Sequence, residues 1–76
     1  MENQAKLIKA EINLLGAQAI GHDLVAVSYE FPYRAKYGDR RWSKQMLAID
    51  YDVLNDATFY ESLYELVQAL RKELEQ

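Results

Sequence analysis

The sequence predicts a small α+β domain: helix, strand, strand, helix, with a two-stranded antiparallel hairpin packed against two helices. Three observations predict it. Apolar residues recur at helical spacing towards both ends, they alternate with a period of two in the middle, and turn-forming pairs separate these segments. With 76 residues the chain makes one domain, residues 1–76. A domain of that size buries only about 60–65% of the surface its unfolded chain exposes.

Residues 4–20 read as the first helix. Ala5, Ile8, Ile12, Leu15 and Ala19 follow at alternating steps of three and four and line up one narrow stripe. Gly16 costs about 1 kcal/mol relative to alanine inside a helix, so it marks an early end or the close approach of another backbone. Gly21 suits the left-handed position just past the last turn, with His22-Asp23 as the turn that follows.

Residues 24–31, LVAVSYEF, set Val25, Val27, Tyr29 and Phe31 against Ala26, Ser28 and Glu30, the pattern of a half-buried strand. Residues 42–54 give the second strand, with Leu47, Ile49, Tyr51 and Val53 on one side. Gly38-Asp39 lies between them as a tight-turn pair. A plain two-residue turn would set Val27 against Asp50, apolar against acid. A shift of one residue restores apolar against apolar. The reading is therefore a loop of three or five residues, or a bulge near Pro32, whose missing N–H suits an edge or irregular position.

The second helix begins after Asn55-Asp56-Ala57-Thr58 and runs to about residue 75. Thr58 and Glu61 have capping-box spacing, and Asp56 is a competing cap. Leu66, Phe59, Leu70, Leu63, Leu74, Val67 and Tyr60 fall within an arc of roughly 120°, which Tyr64 widens.

Charge is unevenly spread. Residues 31–44, FPYRAKYGDRRWSK, hold five of the nine Lys and Arg residues against one acid, a net of +4. The whole chain carries −3, so the remainder is strongly acidic at −7. This polarity points to one localised contact region. Tyr33, Arg34, Lys36, Tyr37, Arg40, Arg41 and Trp42 are the candidate partner-binding residues. Aromatics and arginine also dominate protein–protein hot spots, so composition alone does not separate a protein partner from a nucleic acid. With no nucleic-acid module motif and an acidic remainder that would repel a polyanion, the favoured partner is a protein. The alternative is a nucleic acid, held through its phosphates and stacked bases. The bland reading is a solvated hairpin end whose cations discourage edge-to-edge pairing.

A homodimer is expected because two helices on one hairpin leave apolar surface over. Leu7 and Leu14, on their own line of the first helix, and Tyr64 on the second are the candidate dimer contacts. Asp50, Asp52 and Glu30 read as the wet side of a sheet, and no metal or cofactor is expected. His22 is the only histidine and there is no cysteine. With no phosphate loop either, an enzyme and a small-molecule substrate are not expected. The lack of a signal-like apolar run, of a disulfide framework and of a membrane-spanning stretch makes a cytoplasmic location the expectation.

Overall fold

The computed structural model describes residues 2–75. It is a small α+β domain with a three-stranded antiparallel sheet, one strand more than expected. In chain order the elements are α1 (Glu2–Lys9), β1 (Asn13–Gly21), β2 (Leu24–Arg34), β3 (Arg40–Asp50), a single turn α2 (Tyr51–Leu54) and α3 (Phe59–Leu74). The sheet order is β1-β2-β3, and α1 and α3 pack together over the β2 face that carries Val25, Val27, Tyr29 and Phe31.

The expected helix over residues 4–20 is thus two elements. The chain leaves α1 at Glu11, which adopts the left-handed conformation at φ 60°. The Glu11 N–H donates to the Ile8 carbonyl at 3.1 Å and the Ile12 N–H to the Leu7 carbonyl at 2.9 Å. This pair of bonds is the helix stop usually built on glycine, with the accompanying apolar contact supplied by Leu7 and Ile12. Gly21 ends β1 rather than capping a helix. The tight turn His22-Asp23 joins β1 to β2, and its left-handed residue is Asp23 at φ 61°.

Ending the helix early also turns its face. Leu7, expected at a dimer contact, is 4% exposed in this chain's own core, whereas Ile8, expected inside, is 75% exposed. Leu14 is exposed, but on β1 and not on a helix, and Tyr64 is half-buried in α3 beneath the Lys6 ammonium. The three residues therefore do not form one helical dimer face.

The β2–β3 hairpin closes through a five-residue loop, residues 35–39, and sets Val27 against Leu47 and Val25 against Ile49. No bulge occurs at Pro32; the two register shifts lie in β1 instead. Pro32 is tolerated in the middle strand because β1 begins opposite Glu30 and leaves that edge of β2 open beyond it. Its carbonyl accepts from Arg71 Nε at 2.8 Å across the open edge. The second strand stops at Asp50, four residues short of expectation. The Tyr51 N–H bonds back to the Asp23 carbonyl at 2.9 Å and the chain turns into α2, exposing Tyr51 and Val53.

α3 follows expectation closely. Phe59, Leu63 and Val67 are buried, with Tyr60, Leu66 and Leu70 beside them. Asp56, not Thr58, supplies the cap-like contact: its carboxylate accepts from the Thr58 N–H at 2.9 Å and hydroxyl at 3.0 Å. Those bonds, the backbone one first, hold the Asp56 carboxyl below its ordinary pKa.

Candidate interaction surface

The hairpin end is ordered by its own backbone. The Ala35 N–H donates to the Asp39 carbonyl at 2.6 Å and the Gly38 N–H to the Ala35 carbonyl at 2.8 Å. Gly38 sits at φ 92°, a conformation closed to most side chains. The Gly38→Ala variant is therefore expected to lose about 1–2 kcal/mol, read as a lower thermal midpoint. Nothing lies within 4 Å of the added methyl, so the loss would be a backbone effect and not a clash.

Register divides the predicted site between two faces. Pro32 pairs with Trp42 and Arg34 with Arg40 on one face, while Tyr33 pairs with Arg41 on the other. Tyr37 stands at the apex, 86% exposed, and Trp42 is 47% exposed with the Arg40 guanidinium 5.4 Å from its ring centre. Lys36 is exposed in the loop. The seven predicted residues are thus at one end of the molecule, but Arg34, Arg40 and Trp42 lie on one sheet face, Tyr33 and Arg41 on the other, and Lys36 and Tyr37 in the loop.

Acids reach this end from elsewhere in the chain. Glu11, at the α1 stop, forms an ion pair with Arg40, and Asp39 lies 3.8 Å from Arg41. Arg34 donates from Nη1 to the Gly38 carbonyl at 3.2 Å, and its N–H donates to Glu75 at 2.8 Å. The pairs are more than half exposed, where such contacts contribute about 0–1 kcal/mol each. They moderate the positive field without immobilising the arginines. An open recess of about 290 Å³ lies behind, lined among others by Lys9, Glu11, Arg34, Arg40, Arg71 and Glu75.

Arg71 is a residue that sequence reasoning passed over. From α3 it donates to the Pro32 carbonyl, to the Ala10 carbonyl and, at 2.9 Å, to Gln68, with its guanidinium 5.6 Å from the Phe31 ring centre. It ties the end of α1, the open edge of β2 and α3 together behind the hairpin end. Its only sequence signal is a cation on the border of an apolar helical arc.

The other candidates stay apart. Glu30 faces Lys44 and accepts from Asn13 at 3.1 Å, six residues along the ladder from the Leu24–Asp50 pair, and Asp52 lies in α2. Among the described residues no three His, Asp or Glu side chains converge, and no helix is long and apolar enough to cross a membrane. His22 is exposed beside Asp23 in its turn. No family model matches the chain, and comparison with curated proteins and with solved structures gives no match.

Proposed function

We propose that this domain is a non-enzymatic binding protein, acting as a regulator, inhibitor or accessory subunit, and that its hairpin end grips another protein. The observation that supports this most is Trp42, half exposed on a strand, with Arg40 across its ring and Tyr37 projecting beyond it. Indole and phenol groups give large contact area with little loss of side-chain freedom, and arginine is enriched beside them at hot spots. A protein partner is favoured over a nucleic acid because Arg40 and Arg41 each have a carboxylate at hand. A polyanion would displace both carboxylates and face the acidic remainder of the chain. The recesses, of about 270–450 Å³, are also open to solvent, where a reaction site excludes water. The domain works as a homodimer in a soluble, cytoplasmic setting on this reading.

The test is capture from a lysate of the source cells on immobilised protein, followed by titration of the captured partner. Trp42→Ala is expected to weaken binding about 30-fold, the equivalent of ~2 kcal/mol at a hot spot. Arg40→Glu with Arg41→Glu should weaken it further, with modest dependence on salt. Unchanged affinity in both variants would contradict the assignment. So would binding to DNA or RNA whose logarithmic salt slope approaches one unit per phosphate contacted.

A further inference from the structure

β1 is a sheet edge with unusual properties. It reads NLLGAQAIG, without a charge or a proline, and all nine of its residues are exposed. Ala17 and Ala19 stand opposite Val27 and Val25, on the side the helices occupy, yet the helices do not cover them. The strand is therefore held by its ladder to β2 and gains little from burial. Sheet edges are normally guarded by charge, proline or a covering element. The opposite edge, β3, carries Arg40, Arg41 and Lys44 and is guarded in this way.

We propose that a second copy of the chain docks on β1, antiparallel about a two-fold axis near Ala17, to form one six-stranded sheet. This rests on the reading of the protein as a self-associating binding domain and names the surface that does it. The segment is self-complementary about that axis. Leu14 falls against the partner's Ile20, Leu15 against the partner's Ala19, and Gly16 against the partner's Gln18. The register shifts toward β2, at 14/16 and 19/21, bracket the centre and leave residues 16–19 regular. Each chain carries −3 overall, but β1 brings no like charges together.

Area points to the same occupant. A monomer of 8.9 kDa is expected to expose about 4,800 Å². This chain exposes 5571 Å², an excess of roughly 770 Å² that compares with the ~800 Å² each partner hides in a standard interface. Leu14, Leu15, Ile20 and Ile8 are among the exposed apolar residues along this side. The open groove between α1 and β1 is lined by Leu7, Ile8, Ile12, Leu14 and Tyr60, with the amides of Gln4 and Asn13 among them.

Sedimentation of the full chain tests the proposal. The wild type is expected at twice the monomer mass, and Ala17→Lys, which sets two ammonium groups across the axis, should raise the dimer Kd at least tenfold. Ala17→Cys gives a second reading that does not depend on disrupting anything. The chain has no cysteine of its own, so oxidation should cross-link Cys at position 17 and leave Tyr37→Cys, at the hairpin apex, largely without a covalent cross-link on a denaturing gel. A wild type that stays monomeric at about 0.5 mM overturns the proposal and leaves β1 to a strand of another protein. A dimer indifferent to both changes at Ala17 and abolished by Trp42→Ala overturns it too. Binding at the hairpin end is scored separately on the Trp42, Arg40 and Arg41 variants, so loss of one reading leaves the other standing.

Discussion

Phe31→Ala is expected to leave the domain largely unfolded above room temperature. Phe31 is fully buried and stacks on Tyr29 at 6.3 Å between ring centres. It lies on β2 beneath Arg71 and in the same cluster as Leu63 and Val67. Removing a buried phenylalanine ring costs about 3–5 kcal/mol. Small domains sit at the low end of the usual 5–15 kcal/mol of stability. At about 4–8 °C per kcal/mol for a domain of this size, the thermal midpoint should fall by about 12–40 °C. Ile8→Ala is the matched control. A long apolar side chain is again cut back, but from a residue 75% exposed in the monomer, so below the dimer Kd the change should stay within about 0.5 kcal/mol. Comparable losses in the two variants, by calorimetry or denaturant titration, would mean that α1 is rotated from the orientation described.

The second large effect is expected at Arg71. Arg71→Met keeps much of the aliphatic stem but removes the donors to the Pro32 and Ala10 carbonyls. Hydrogen bonds to a charged donor contribute about 1.5–3 kcal/mol, and part of the loss is recovered because water can reach the site. The expected destabilisation is about 2–3 kcal/mol, measured by urea titration. Arg71→Lys should restore less than half of it, because an ammonium cannot fork to two carbonyls while lying over the Phe31 ring. The hairpin end should loosen with it, seen as faster amide exchange at residues 33–41. A full rescue by lysine would show that Arg71 acts through charge alone.

What could be read from the sequence was whatever local pattern decided by itself. The alternation in residues 24–31 gave β2, and the conflict of Val27 with Asp50 gave a loop of three or five residues or a bulge near Pro32, of which the structure has the five-residue loop. The wide apolar arc of residues 59–74 gave α3. The first third was ambiguous because Ile12, Leu15 and Ala19 fit a helical period as readily as a strand with bulges. The deciding residue is Glu11 in the left-handed conformation, where glycine is the usual signal and a glutamate gives none. Gly16 and the absence of any charge from Ile12 to Gly21 were the available hints of a strand.

The hairpin end was placed correctly by composition, but its electrostatics were not. Arg40 meets Glu11 from 29 residues away and the Arg34 N–H meets Glu75 from 41 away. No sequence period records such pairings. That these residues gather at one end of a hairpin was therefore legible, and the field they make there was not.

On the proposal made above, the bare, neutral strand at residues 13–21 completes its sheet with a second copy. Amide hydrogen exchange of the wild type, followed by NMR at high and at low protein concentration, tests it most directly. The β1 amides that point away from β2 should be protected at high concentration and lose that protection on dilution, while β2 and α3 stay protected throughout. Outward amides that exchange at the unprotected rate at every concentration would contradict it.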